Sequence, residues 1–405
     1  MNEPQLKRRI GPVLLTLYGI GVMVGAGIYV LVGTIAGRAG LLAPLVFVVA
    51  GCIAAPTALS YAELSVRIPR SAGEAAYIRR AFGIEWLASL TGLSIVLVGT
   101  TSAAAVLVGG VGYLGYFVNF QPWVLIIGVG VLLTLVATIG VAESLSVAAI
   151  FTITEVVGLL LVFWAGMTAP IPSPDWSAGN MLSMDSGGIG FAAIASASLL
   201  AFFAFVGFED MVNLAEEVKH PSKTLPIGIL VALAVTSILY AGVAWAAIRS
   251  VALAELAGSD QPLVLVYETS TGRPAGFLAA ISVFAAFNGG LAQIIMASRV
   301  LFGLGRKNPT LRIFHQTNRV FGTPTIATLF AGVVVIVAAL LFPVDRLAGL
   351  TAAILLAVFV IVNTTLIRLK RREPESPFHV HWSVPWIGAV SAFVALILAL
   401  VGGLA

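Results

Sequence analysis

The acidic residues stand out first, because several of them sit where a carboxylate is costly. Glu155 lies alone in the apolar stretch Thr152-Ile-Thr-Glu-Val-Val-Gly158, and Glu209 and Asp210 follow Ala201-Phe-Phe-Ala-Phe-Val-Gly-Phe208 without a break. A charged side chain at the centre of a membrane span costs about 2.5–3.5 kcal/mol even on insertion scales. Such groups therefore face a protein interior or a watery cavity, and a carboxyl there can take up and release a proton, bind sodium, or meet a basic part of a substrate. Glu155 and Glu209 are the candidates for coupling; Asp210 faces an inner vestibule. Thr100, Thr101 and Ser102 form one small polar patch, and Asn288, Gly289, Gly290 and Gln293 form another. Hydroxyls in helices often bond only their own backbone, and amides often serve as glue between helices, so both patches have a structural alternative. Glu63 has Arg67 one helical turn on, a spacing that suits a local ion pair. Glu216, Glu217, Lys219 and Lys223 could form an ion-pair cluster at a cytoplasmic mouth, or a solvated loop face. His379 and His381 have no partner motif, and a single cysteine excludes an internal disulfide.

These residues need elements that can hold them, and the composition restricts the choice. Of 405 residues, 59% are hydrophobic and 10% charged, with mean hydropathy +1.05. Ordinary globular chains carry about 25% charged residues, so the solvent of this chain is lipid. A spanning helix needs about 20 mostly apolar residues. The stretches free of Asp, Glu, Lys and Arg then predict eleven spans, near 12–36, 43–66, 86–110, 123–142, 146–168, 190–215, 225–248, 274–303, 324–342, 346–368 and 384–404. With the N-terminus inside, 18 of the 22 Lys and Arg residues fall inside and 4 fall outside. Lys7–Arg9 precede a run too long for a signal peptide. The expected topology has a cytoplasmic N-terminus, an outer C-terminus and the plasma (inner) membrane as its place. The basic residues are topology signals, which argues against a nucleic-acid partner.

Two spans carry breaks. Gly25-Ala26-Gly27 weakens the first helix, since Gly costs about 1 kcal/mol relative to Ala; close helix packing is the alternative. Gly207 stands in the middle of the sixth, directly before the acids. The two breaks lie five spans apart, and five is odd, so the second block of five is inverted relative to the first. Interrupted helices at matching positions of inverted repeats mark many secondary transporters, with the substrate held between the breaks. The expected organisation is one transporter domain: residues 1–11 as a tail, 12–168 as the first repeat, 190–368 as the second, and 384–404 as an extra helix.

At this level of detail the chain resembles the amino acid–polyamine–organocation superfamily, closest to bacterial permeases similar to cationic amino acid transporters. Gly25-Ala-Gly-Ile-Tyr29 resembles its first-span signature. Tyr61-Ala-Glu-Leu64, Ile68-Pro-Arg-Ser-Ala-Gly-Glu-Ala-Ala-Tyr77 and Ala81-Phe-Gly83 resemble its second span and following loop. Phe202-Phe-Ala-Phe-Val-Gly-Phe-Glu209, Ala215-Glu-Glu-Val-Lys-His-Pro221 and Leu225-Pro226 resemble its sixth span, and Ala297-Ser-Arg299 with Gly303 and Gly322-Thr-Pro324 its eighth-to-ninth connection. Departures are Ala26 where a serine is usual and Glu74 where a second loop glycine is usual.

The resemblance implies an all-α integral membrane protein with a LeuT-like 5+5 inverted repeat, discontinuous helices one and six, and an eleventh helix. It implies a secondary active transporter moving amino acids by alternating access. The substrate carboxylate would take backbone N–H groups at Ala26, Gly27 and Ile28; the ammonium would take carbonyls near Met23, Phe203, Ala204 and Val206; Gly25 and Gly207 would belong to the same substrate site. Thr101 and Asn288 would contribute to side-chain selectivity, and Phe203 and Phe208 would act as gates. In some relatives a lysine stands near the place of Glu155. No cofactor or metal is expected. Paired hydroxyls on the eighth span would suit sodium, and only Ser298 offers one, so a proton or exchange is the expected coupling. A polyamine carrier of the same fold stays open; an enzyme or a channel finds no motif here.

Overall fold

The computed structural model describes residues 8, 10–68, 73–140, 145–170, 191–215, 217–306, 308–318 and 320–402. Most of the tail, and with it Lys7 and Arg9, lies outside the described residues, as do Arg70, Glu216, Lys307 and Arg319. The described chain is helical, and its helices start and stop where local chemistry says they should. Pro12, Pro122, Pro221 and Pro262 each open a helix, where a missing N–H loses nothing. Gly140 and Gly272 close helices in the left-handed conformation.

In chain order the helices are α1 (Pro12–Ala26), α2 (Ile28–Ala39), α3 (Ala43–Arg67), α4 (Gly73–Phe82), α5 (Glu85–Leu114), α6 (Pro122–Ile139) and α7 (Leu145–Thr168). The second part contains α8 (Phe191–Phe203), α9 (Pro221–Ser250), α10 (Leu253–Gly258), α11 (Pro262–Thr271), α12 (Gly276–Gly305), α13 (Thr325–Leu341), α14 (Val344–Arg372) and α15 (Ser383–Gly402). Among the described residues, eight helical stretches are long and apolar enough to cross a membrane, and Pro12–Gly25, Ala193–Phe203 and Thr325–Leu341 are shorter apolar helices. One of the eight, Ile28–Arg67, joins α2 to α3. It bends at Gly40, whose φ of 55° lies in the region that favours glycine. The elements therefore follow the eleven expected spans, with α4, α10 and α11 as short connectors.

The sixth span is discontinuous, as expected, but its break begins before Gly207: α8 ends at Phe203, residues 204–208 form turns, and Glu209–Leu214 is a 3-10 segment. The N–H groups of Ala204, Phe205 and Val206 donate three residues back, to the carbonyls of Ala201, Phe202 and Phe203. This tighter winding begins before the glycine and carries the chain into it.

Around the bundle, Trp164, Ile238, Leu132 and Val390 are among many large apolar side chains left exposed, as a lipid-facing surface requires. Phe120 and Trp123 are exposed at the turn into α6, where aromatic residues suit a membrane interface. Arg38 after the first span pairs with Asp345 at the start of α14.

Candidate functional site

The site is built from two chain breaks that touch. Gly27 separates α1 from α2 and lies at φ −136°, ψ −51°. Its carbonyl accepts the N–H groups of Leu31 at 2.9 Å and Val30 at 3.3 Å. The first N–H groups of a helix have no partner within it, so those of Ile28 and Tyr29 are left at the break. They carry the positive end of the α2 dipole. A Cβ on Gly27 would overlap the backbone and side chain of Ala204. Across the contact, Gly207 takes φ 119°, open in practice only to glycine. A Cβ there would overlap Val22. Gly27 and Gly207 are thus points of close contact between the two interrupted helices. Helix α12 completes the third side: a Cβ on Gly25 would come to 3.1 Å from the Ala285 carbonyl, and one on Gly289 to 3.3 Å from the Gly25 carbonyl. Asn288, partly buried, neighbours that contact.

The geometry amends the expected list of backbone groups. Helix α1 runs through Ala26, so the Ala26 N–H belongs to its last turn and is no free donor. On the sixth span, the Phe203 carbonyl accepts the Val206 N–H at 3.0 Å, and the Ala204 carbonyl accepts the Tyr240 hydroxyl at 3.0 Å. Each carbonyl keeps a second lone pair. Met23, Ile28, Phe203, Ala204, Val206 and Phe208 are all buried at the breaks. Phe208 is packed edge-on against Tyr61 and tilted against Phe359, with ring centroids 6.0 Å and 5.4 Å away. Phe205 packs on Tyr240 at 5.3 Å.

Three tyrosines that the sequence reading did not single out brace the two breaks. Tyr29 donates to the backbone carbonyl of Glu155 at 2.8 Å, Tyr113 donates to the carbonyl of Tyr29 at 2.6 Å, and Tyr240 holds Ala204 as described. A tyrosine inside an apolar span needs a partner for its hydroxyl, and that was the available signal. Glu155 itself is 3% exposed, and its Oε2 atom has no hydrogen-bond partner among the described residues. Its helix meets α1 closely enough that a Cβ on Gly21 would overlap Thr152.

The remaining candidates sort themselves by their partners. Glu209 accepts the Gly207 N–H at 2.9 Å, so its carboxylate caps the turn it follows. Asp210 accepts from Gln293 Nε2 at 3.2 Å, which ties α12 to the sixth span. Thr100 and Thr101 donate to their own helix, and Thr101 also accepts from Thr351 at 2.6 Å. Ser298 likewise bonds its own helix. Glu63 does pair with Arg67, at 2.6 Å, and also with Lys370 of α14 at 2.8 Å, a partner no local spacing reveals. The described members of the loop cluster, Glu217, Lys219 and Lys223, form no ion pair among the described residues. His381 bonds Ser383 at 2.9 Å. A cleft of about 630 Å³ between α3, α8, α14 and α15 is lined by Val49, Phe202, Leu356 and Trp386. It has no charged lining residue and is not the candidate site.

Comparison with known proteins bears on this geometry. Residues 10–403 match the family described as "Amino acid permease". The branched-chain amino acid permease BcaP of Bacillus subtilis is 31% identical over 93% of this chain and 84% of its own length. The vacuolar cationic amino acid transporter 4 of Arabidopsis thaliana is 29% identical over 92% of this chain and 64% of its own. Among solved structures, a mutant manganese transporter of Eremococcus coleocola superposes with a TM-score of 0.64 at 13% identity, covering 98% of this chain and 88% of that one. At that identity the likeness speaks for the fold alone, a LeuT-like one.

Proposed function

The chain belongs to the amino acid permease family and is a multi-pass membrane transporter, and on that premise we propose that it carries its amino acid by alternating access at the two facing breaks, coupled to a proton or working by exchange. The observation that carries this reading is the direct contact of Gly27 with Ala204 and of Gly207 with Val22. Two interrupted helices meeting backbone to backbone present unpaired groups of both kinds to one small ligand. The N–H groups of Gly27, Ile28 and Tyr29 suit the carboxylate. The carbonyls of Met23, Phe203, Ala204 and Val206 suit the ammonium. Phe203 and Phe208 are the gates, and Thr101 and Asn288 help set which side chain fits. The N-terminus lies on the cytoplasmic side of the plasma membrane, because Lys and Arg concentrate there.

The buried apolar surroundings, Met23, Ile28 and Phe203, suit a branched aliphatic substrate, the class named for the Bacillus relative. A second reading has its own support: the unpartnered Glu155 oxygen suits a basic side chain, the class named for the Arabidopsis relative. Thermal shift of the purified protein with the twenty amino acids, their decarboxylated amines and polyamines tests both, since a ligand of the folded state raises its melting point. Shifts with a few amino acids, lost with their amines, are expected. Shifts with polyamines alone would overturn carboxylate capture.

Glu155 is the proton carrier of the cycle in this reading. Glu155→Gln is expected to keep the substrate-induced melting shift and to lose the pH dependence of uptake into proteoliposomes. Uptake with the wild-type pH profile would remove Glu155 from coupling.

A further inference from the structure

Below the sixth-span break lies a second group of acids that the transport cycle above leaves unused. Glu74 sits on α4, outside the spans, and is 6% exposed. It accepts the Tyr61 hydroxyl at 3.0 Å. Helix α4 packs against the segment that carries Glu209 and Asp210, which are 4% and 9% exposed. Tyr61, whose hydroxyl Glu74 accepts, packs its ring against Phe208, the residue before Glu209, with centroids 6.0 Å apart.

Several cations on the neighbouring elements are committed elsewhere. Arg67 and Lys370 pair with Glu63, Arg79 with Glu85, and Arg80 with Glu373. Arg368 and Arg372 donate to the carbonyl of Ala81. Arg299, Lys223 and Arg371 are exposed and form no ion pair with the three acids; Arg70 is outside the described residues. Tyr18 and Tyr77 are the other titratable groups facing the cluster. Buried carboxyls on packed neighbouring elements, with no ion pair to a cation among the described residues, favour the protonated form.

A separate observation says what fills the place. Gln293 is 2% exposed and gives its amide N–H to Asp210, which leaves its Oε1 beside the acids as an acceptor without a donor among the described residues. The Tyr77 hydroxyl is also buried and has no partner among them. A protonated carboxyl supplies an O–H donor; an ionised one does not. Among the described residues, no group of three or more His, Cys, Asp or Glu could hold a metal ion. We propose that Glu74, Glu209 and Asp210 form one buried proton-binding site on the cytoplasmic side of the sixth-span break, loaded from the cytoplasm and exchanged with the transport cycle. The site deepens the permease reading and rests on its orientation. Loading is a simple protonation: one proton from water joins a carboxylate oxygen and no other bond changes.

The closing experiment uses the full chain in detergent without substrate. Burial pushes the Glu74 carboxyl above the usual carboxylate range, while its own backbone bond and the Tyr61 bond pull it back. A group raised on folding stabilises at low pH and loses that contribution as pH rises through its folded value. The wild type is therefore expected to melt lower at about pH 8 than at about pH 5.5, and Glu74→Gln to show a measurably smaller difference. Tyr61→Phe, which keeps the acid, retains the difference. In proteoliposomes, Glu74→Gln keeps substrate counterflow and shifts the pH profile of net uptake. Wild-type pH slopes in Glu74→Gln would overturn the proposal. So would sodium or potassium raising the wild-type melting point and not that of the variant, which would make the site a metal-cation site. If no amino acid shifts the wild-type melting point, the substrate reading fails, and the substrate-free slopes still decide this one.

Discussion

Gly27→Ala is expected to lower uptake at least about tenfold and to abolish the substrate-induced melting shift. The added methyl has nowhere to go: it would overlap both the backbone and the side chain of Ala204. Overpacking a tight contact costs about 1–3 kcal/mol, and about 1.4 kcal/mol is a factor of ten. Here the strain falls where the two breaks meet, so it separates the donors on α2 from the carbonyls of the sixth span. Gly128→Ala is the control: on α6, a Cβ there meets nothing within 4 Å. It replaces a helical glycine and is expected to transport at the wild-type rate. If Gly27→Ala binds and transports as well as Gly128→Ala, the breaks are packing features and the site lies elsewhere.

The second large effect is on stability. Glu63 is fully buried and faces two cations, with Arg67 and Lys370 also nearly buried. Its second oxygen also accepts the Val380 N–H at 2.8 Å, and Lys370 donates to the Val380 carbonyl at 2.7 Å. One carboxylate thus joins α3, α14 and the loop before α15. Removing one partner of a buried pair leaves an uncompensated charge and costs about 3–5 kcal/mol. Glu63→Ala strands two cations, so melting temperature and purified yield should both fall steeply. Glu63→Gln preserves shape and one acceptor and is expected to fall less. An unchanged melting temperature in Glu63→Ala would mean that the cations relax into water, and the network would not be structural.

The Arg67 partner of Glu63 was legible because it lies one turn away on the same helix; Lys370 was not, because α14 meets α3 only after the bundle assembles. The same contrast runs through the site. Gly25-Ala26-Gly27 marked the first break correctly, since glycine weakens a helix wherever it stands. The sixth break began before Gly207, since the tight turns at Ala204 to Val206 depend on what α8 packs against. Glu74 stood out only as a departure in a loop motif, and its burial under Tyr61 was invisible.

What the sequence determined by itself is what depends on near neighbours and on the solvent. Hydropathy set the number of spans, the Lys and Arg distribution argues for a cytoplasmic N-terminus, and glycine placed the flexible points. An acid within a span must be paired, capped or protonated, and the sequence states that requirement without naming the partner. Only the tertiary structure decided that Glu209 caps Gly207, that Asp210 meets Gln293, and that Glu155 keeps an oxygen without a partner. The physical reason is that helix propensity and membrane transfer act over one turn or one span, whereas hydrogen bonds and ion pairs act over a few ångströms between segments far apart in the chain.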